Sequence, residues 1–455
     1  MRIFLFYISF IAVSQIATAQ LFGPSQLING EAGIIYEIRA ADLDNDGFVD
    51  VAIAAYNLIS WYKNLDGQGN FSSPIIIQEG LGQAFNFSLA DIDDDNKMDI
   101  VVSFFDEDKV VWYKNNGNGT FSSMQTIASG LNSARGVVAR DLDQDGDLDL
   151  VLGVSNGNGL YWVENLDGAG NFSSLNIIDA TITQARNQAV EDIDGDGDLD
   201  ILTNSTGDVY LSWFENVDGQ GDFSVQHIID TTFGLYANSL FLADLDGDGH
   251  VDNLSYIGDT IVWRKNLDGL GNFGPNQIIN TVSVGGFSGS RPVDIDNDND
   301  LDVLFGSIDV IRVGWNENLN GLGNFGSANT IDTIIPSAKV EPVDLDNDGD
   351  LDLVVRSLVA NGEKTLVWYE NLTILGLNDF DIQYVILYPN PVTTVLSIKN
   401  TNYISKVVFY NSVGQKLRTV TNNFEQIDIT RMPNGLLFVF IETEFGTLTK
   451  KVLKE

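Results

Sequence analysis

A ten-residue acidic run, Asp-(Leu/Ile)-Asp-x-Asp-(Gly/Asn)-x-(Leu/Val/Met)-Asp-x, occurs seven times in this chain, beginning at Asp42, Asp91, Asp141, Asp192, Asp244, Asp294 and Asp344 at intervals of 49 to 52 residues. Each copy is followed by Trp-x-(Lys/Glu)-Asn, and the seven tryptophans so placed (Trp61, Trp112, Trp162, Trp213, Trp263, Trp315 and Trp368) are all the tryptophans in the protein. After the first six comes Gly-x-Gly-x-Phe, as in residues 67–71 and 269–273. A fixed period of this length means one supersecondary unit repeated, each copy burying its apolar face against the next.

Within a period, residues 72–78, 85–92, 98–105 and 109–115 each read as a short strand bounded by Gly, Asn or Asp. Four strands per repeat, seven times over, predict an all-β fold: a seven-bladed β-propeller of four-stranded blades rather than an open solenoid. The two ends of the array favour the ring. The seventh repeat lacks Gly-x-Gly-x-Phe and its outer strand, while FGPSQLIN at 22–29 matches FGPNQIIN at 273–280 in six positions of eight. The N-terminal segment is therefore expected to supply the last blade's missing strand and leave no exposed edge.

The acidic run is the candidate metal site. Aspartates at positions 1, 3 and 5 of a tight loop can converge on one point, position 6 needs a backbone that Gly or Asn accepts, and position 9 offers another carboxylate. The expected ligands are Asp42, Asp44, Asp46 and Asp50 in the first loop; Asp91, Asp93, Asp95 and Asp99 in the second; Asp141, Asp143, Asp145 and Asp149 in the third; Asp192, Asp194, Asp196 and Asp200 in the fourth. Asp244, Asp246, Asp248 and Asp252 follow in the fifth, Asp294, Asp296, Asp298 and Asp302 in the sixth, and Asp344, Asp346, Asp348 and Asp352 in the seventh. Hard oxygen donors in a flexible loop suit Ca²⁺, up to seven ions. The EF-hand pattern is not met, because Glu at position 12 and flanking helices are missing. Each site is thus expected in the range of roughly 0.1 to 1 mM, suited to extracellular calcium. The alternative, a solvated acidic hairpin without metal, would repeat an uncompensated repulsion seven times. Loops 2 and 6, with Asn96 and Asn299 in place of Gly, are expected to be the weakest.

The net charge of −40 excludes nucleic acid as a natural partner, since that field repels phosphate. Seven calcium ions would reduce it to about −26. No cysteine is present, so no disulfide or thiolate site forms. Residues 1–19 have the charged, apolar and small-residue order of a secretory signal, with cleavage expected after Ala19. No later run is long and apolar enough to span a bilayer as a helix.

These loops on a seven-fold, four-strand repeat resemble the FG-GAP/VCBS repeat propellers, a group that includes the integrin α-subunit propeller. The resemblance covers residues 22 to about 373 and implies Ca²⁺ at each matching loop. Beyond it the charge balance changes, with eight Lys/Arg against five Asp/Glu in residues 385–455 and 15 against 59 in residues 21–384. The C-terminal segment reads as a small β-sandwich. Tyr388-Pro389-Asn390-Pro391, Tyr410 with Gly414, Ile427-Asp428-Ile429, Gly435 and Lys450-Lys451 resemble the C-terminal sorting domain of the type IX secretion system of Bacteroidetes. That resemblance implies export by the type IX machinery to the outer cell surface or the medium. The expected domains are a signal peptide (1–19), the propeller (20–373), a linker (374–384) and the sorting domain (385–455).

The repeated Trp is expected to be core or inter-blade packing. Positions that vary between repeats are free to serve a ligand. Six residues before each acidic loop stand Tyr36, Phe85, Arg135, Arg186, Asn238, Ser288 and Ala338; the first five are the candidate ligand-binding residues, for a glycan or a surface protein. A binding or adhesion module is the favoured reading. A polysaccharide lyase or hydrolase is the alternative, with Glu37, Glu191 and Glu341 as carboxylates outside the loops.

Overall fold

The computed structural model describes residues 21–30, 33–231, 239–281, 287–307, 312–332, 337–358, 364–373, 386–399, 404–411, 415–424, 426–443 and 446–454. The signal-peptide expectation (1–19) lies outside the described residues, as do Asn238 and Gly414. The described residues are all-β, without a helix, and fall into two compact units, one of them Phe22–Ile374.

That unit is a succession of antiparallel sheets whose strands neighbour one another in chain order, the propeller-like blade. Repeat 3, for example, consists of Ala134–Arg140, Asp149–Val154, Asn158–Val163 and Asn176–Thr183. Repeats 4, 5 and 6 form the same four-stranded sheet. Repeats 1 and 2 share one six-stranded sheet, because Asp50–Tyr62 and Ile75–Ala90 each run two strands together. The first of these turns at Asn57 (φ 61°) and the second at Gly80 and Gly82 (φ 84° and 70°). In repeat 7, Ser337–Val343, Asp352–Leu358 and Lys364–Tyr369 are joined by Gln26–Asn29 from the N-terminus, which pairs with the third strand as Gln26↔Trp368 and Leu27↔Val367. Phe22 bridges Asn371 as Phe273 bridges Asn266, so the FGPSQLIN segment takes the register of its counterpart in repeat 5.

The second strand is the most deeply buried of each repeat: Asp99–Phe104 and Asp149–Val154 are buried throughout and largely apolar on both faces, while Asp200–Ser205 is equally buried but carries Thr203, Asn204 and Ser205. This is what a strand covered by neighbours on both sides requires. Every Trp is buried as well, and six of the seven pack on the repeat that follows. A Cβ added at the second glycine of Gly-x-Gly-x-Phe would overlap that ring: Gly119 against Trp61, Gly170 against Trp112, Gly221 against Trp162, Gly271 against Trp213 and Gly323 against Trp263. Gly69 of repeat 1 lies against Trp368 of repeat 7 in the same way.

The C-terminal unit pairs Ile386–Tyr388, Val395–Lys399 and Ile427–Asp428 in one sheet. A second sheet holds Lys416–Val420, Ile404–Tyr410, Gly435–Thr443 and Gly446–Lys454. Leu396, Ile398, Val407, Phe409, Ile427, Leu437, Val439, Ile441 and Val452 make one core, so the expected small β-sandwich has alternating inward faces.

Candidate metal loops and a rim cluster

Each acidic loop connects the first strand of a repeat to the second. The first strand stops one residue before position 1 and the second begins at position 9, as in Ile35–Ala41 and Asp50–Tyr62. Position 2 is the anchor: Leu43, Ile92, Leu142, Ile193, Leu245, Ile295 and Leu345 are all buried.

The loop is wound around the position-1 carboxylate, which accepts the position-6 N–H in all seven repeats at 2.7 to 3.2 Å. Position 6 has a left-handed backbone throughout, and Asn96 (φ 62°) and Asn299 (φ 72°) adopt it as the glycines do. Asn is among the few residues with a side chain that enter this region readily. Position 4 is left-handed too, at Asn45, Asp94, Gln144, Gly195, Gly247, Asn297 and Asn347, a second requirement that the varied residue types at this position conceal.

Position 9 is buried in every repeat and ties the loop to two other segments. Asp149 shows the pattern: one carboxylate oxygen accepts the Leu142 N–H (3.1 Å) and the other the Asn165 N–H (2.8 Å). Asn165 is the asparagine of Trp-x-(Lys/Glu)-Asn. Its side-chain amide crosses to the preceding repeat and donates to the Ile92 carbonyl at 2.9 Å. Asn115, Asn216, Asn266, Asn318 and Asn371 repeat this bond to Leu43, Leu142, Ile193, Leu245 and Ile295. Asn64 of repeat 1 donates to Leu345 of repeat 7 at 2.9 Å. Such a buried amide bond contributes about 1 kcal/mol, and losing it strands a carbonyl; at Asn165 the amide oxygen is satisfied too, by the Gly170 N–H at 3.2 Å.

The loops fit a divalent cation. Carboxylate oxygens of Asp42, Asp44 and Asp50 lie within 4.8 Å of one another, and so do those of Asp91, Asp93 and Asp99, Asp141, Asp143 and Asp149, Asp192, Asp194 and Asp200, and Asp244, Asp246 and Asp248. At position 3 the Oδ1 atoms of Asp44, Asp93, Asp194, Asp246, Asp296 and Asp346 are buried without any hydrogen-bond partner. In loop 3 the orphan is Asp141 Oδ1. Buried acceptors are almost always satisfied, and an orphan oxygen recurring at one register position marks a place for a cation. Burial also pushes the position-9 carboxyls up, to about 7 for Asp50, Asp149, Asp200, Asp252 and Asp302, about 6 for Asp99 and about 8 for Asp352.

The rim candidates are partly brought together. The Tyr36 and Phe85 rings lie 4.6 Å apart and Phe85 contacts Phe105 at 5.0 Å. The Arg135 guanidinium sits 4.7 Å over the Phe85 ring, a cation–π contact. Arg186 is next along the rim. Burial and this second arginine lower Arg135 to about 10. Among the described residues the Arg135 guanidinium has no hydrogen-bond acceptor, while Arg186 has Gln184 at 3.0 Å and a buried, unpartnered Nε. Ser288 and Ala338 belong to strands whose side chains at those positions are not described.

The first strands also line a cavity of about 160 Å³ to which every repeat contributes, through Glu37, Asn86, Val137, Gln188, Phe241, Arg291 and Lys339 among others. Glu37 pairs with Arg39 at 2.5 Å and with Lys339 at 2.8 Å, and Glu341 with Arg291 at 2.6 Å. Although burial pushes Glu37 up, these cations hold it down to about 2; burial leaves Glu341 raised. Sequence reasoning saw the two glutamates as spare carboxylates but had no signal for their partners.

Comparison with solved structures gives fold-level likeness. An Agrocybe aegerita lectin studied for specific recognition of non-reducing terminal N-acetylglucosamine is 21% identical, with TM-score 0.51, over 67% of this chain and 81% of that one. BBS1N, solved in complex with ARL6DN, is 11% identical with TM-score 0.51 over 76% and 96%. The extracellular domain of a hybrid two-component system from B. thetaiotaomicron is 8% identical with TM-score 0.51 over 96% and 60%. No curated protein sequence matches the chain. Residues 386–455 match the secretion system C-terminal sorting domain, the kind of tail that directs export by the type IX machinery. The FG-GAP-like repeat matches residues 42–102, 99–152, 141–203, 192–255 and 294–355. Those windows take in more than half of the sequence and each runs from one acidic segment past the start of the next, and the chain belongs to the FG-GAP-like repeat family.

Proposed function

We propose that this protein is a calcium-pinned, closed seven-bladed propeller (residues 20–373) serving at the outer cell surface as a binding or adhesion module for glycans or surface proteins. A signal peptide (1–19) starts export, and after a linker (374–384) the sorting domain (385–455) hands the chain to the type IX machinery. Closure is supported by two contacts that run from repeat 7 to repeat 1 as they run between successive repeats, Asn64 to Leu345 and Gly69 against Trp368, and by Gln26–Asn29 from the N-terminus taking the outer-strand place in repeat 7. Calcium is supported by the recurring orphan oxygen at position 3.

The observation that carries the binding role is the rim cluster. Tyr36 and Phe85 present aromatic faces, and Arg135 lies over one of them with no described acceptor. In a chain of net charge −40, two adjacent arginines without a carboxylate are costly unless a ligand uses them. A sugar ring stacks on the aromatic faces and an acidic group on it takes the guanidinium hydrogen bonds. Binding is favoured over the alternative of a polysaccharide-degrading enzyme because Glu37 and Glu341 are engaged by Arg39, Arg291 and Lys339.

The test is affinity electrophoresis of the mature protein through gels containing neutral or uronate-bearing polysaccharides, with calcium and with chelator. Calcium-dependent retardation by the acidic polymers is expected, with Arg135→Ala weakening it by about tenfold or more, the loss of one charge-assisted contact. A cleared carbohydrate zone would instead favour the enzyme, and free migration in every gel would sink glycan binding.

A further inference from the structure

The residue two places after each tryptophan is Lys63, Lys114 or Lys265 in repeats 1, 2 and 5, and Glu164, Glu215, Glu317 or Glu370 in repeats 3, 4, 6 and 7. Its side chain returns to the acidic loop of its own repeat. Lys63 bonds Asp44 and stands 2.7 Å from Asp46; Lys265 bonds Asp246 and stands 2.7 Å from Asp248. Lys114 bonds Asp93 and stands 3.2 Å from Asp95, which a second lysine, Lys97, approaches to 2.9 Å. In these three loops an ammonium already sits between the position-3 and position-5 carboxylates. The four glutamates bring negative charge to the same place, each acting on the position-3 aspartate of its loop.

Position 7 divides the repeats identically. It is Phe48, Lys97 and His250 in the lysine repeats, and Asp147, Asp198, Asp300 and Asp350 in the glutamate repeats. Two positions 15 to 20 residues apart in sequence thus change charge together. A glutamate loop gathers six carboxylates, five Asp and one Glu, with no basic side chain in the motif. A lysine loop gathers four or five carboxylates with at least one lysine.

We propose that the loops are of two electrostatic kinds: loops 3, 4, 6 and 7 take divalent cations tightly, and loops 1, 2 and 5 are compensated by the chain's own lysine and take an ion only weakly. The inference rests on the calcium reading above and adds which loops it concerns. An ammonium occupies ligand oxygens and repels a dication over a few ångströms, so the ion has to displace it. A further carboxylate attracts the ion, and calcium affinity rises with ligand charge. Glu215 shares itself with His227, whose Nε2 lies 2.8 Å from its Oε2, making loop 4 the weakest of its group. Loop 6 separates this proposal from the glycine argument, which placed it with loop 2 among the weakest.

The experiment is calcium titration of the mature protein by native mass spectrometry and calorimetry. Four ions are expected to bind first, with any others at concentrations about tenfold or more higher. The variant Lys63→Gln/Lys114→Gln/Lys265→Gln is expected to bring the weak class down by about tenfold, and Glu317→Gln to move one ion out of the tight class. Near-ultraviolet circular dichroism reports whether each variant is folded. Seven equivalent ions, or a pattern unaltered in the folded triple variant, would overturn the sorting while leaving calcium binding in place. No ion at any stoichiometry would overturn the calcium reading itself.

Discussion

Chelation is expected to lower the melting temperature of the intact protein by more than about 10 °C, and added calcium to restore it, because each ion binds the folded chain alone. The size of the effect follows from what the loops hold in its absence. Position-3 oxygens are buried without partners, and position-9 carboxyls are buried and pushed to about 7 at five of the loops. Both conditions disfavour the folded state, and a dication at the same place relieves both. Sodium chloride at the same ionic strength screens the exposed part of the repulsion but supplies no coordinating charge, so it should recover only a fraction of the loss. An equal melting temperature with and without chelator would contradict the reading.

Substitution of the second glycine of a Gly-x-Gly-x-Phe turn carries the next largest effect. At Gly271 the backbone φ is 74° and an added Cβ falls 2.4 Å from the Trp213 ring; at Gly69 φ is 75° and the distance to Trp368 is 2.0 Å. Gly271→Val and Gly69→Val combine a left-handed β-branched residue with overpacking, for a loss of about 3 kcal/mol or more each. Gly289→Ala, where nothing lies within 4 Å, should cost under about 1 kcal/mol. The comparison bears on closure, because Gly69 and Trp368 belong to the first and last repeats. Chemical denaturation of the three variants checks it: a Gly69→Val protein as stable as Gly289→Ala would mean that repeats 1 and 7 do not pack together.

Much of this architecture is legible because repetition acts as an internal alignment. Positions occupied by Asp, Gly, Trp and Asn in nearly every copy are those whose conformation or partner admits few other residues, and the acidic loop, the Trp contact and the N-terminal strand all come from them. What the sequence hides is reach. Asn165 is visibly repeated, yet nothing in Trp-x-(Lys/Glu)-Asn says that its amide crosses to Ile92 of the preceding repeat. Position 4 conceals its left-handed backbone because Asn, Asp, Gln and Gly all serve there. The Lys/Glu alternation is plain in the sequence, but its meaning depends on Lys63 folding back onto Asp44 and Asp46. At the rim, equal spacing before the loop picked out Tyr36, Phe85 and Arg135, while Phe105, the aromatic neighbour that completes the stack, comes from another register position and carried no signal.

The most direct test of the account is to grow crystals of the mature protein in calcium and collect long-wavelength anomalous data. The expected result is an anomalous peak within the carboxylates of positions 1, 3, 5 and 9 of the acidic loops, the strongest in loops such as Asp294–Asp302 and Asp344–Asp352. Data showing no peak in any loop at several millimolar calcium, a concentration above the affinity range of roughly 0.1 to 1 mM set by the ligand count, would contradict the central claim that calcium pins the blades.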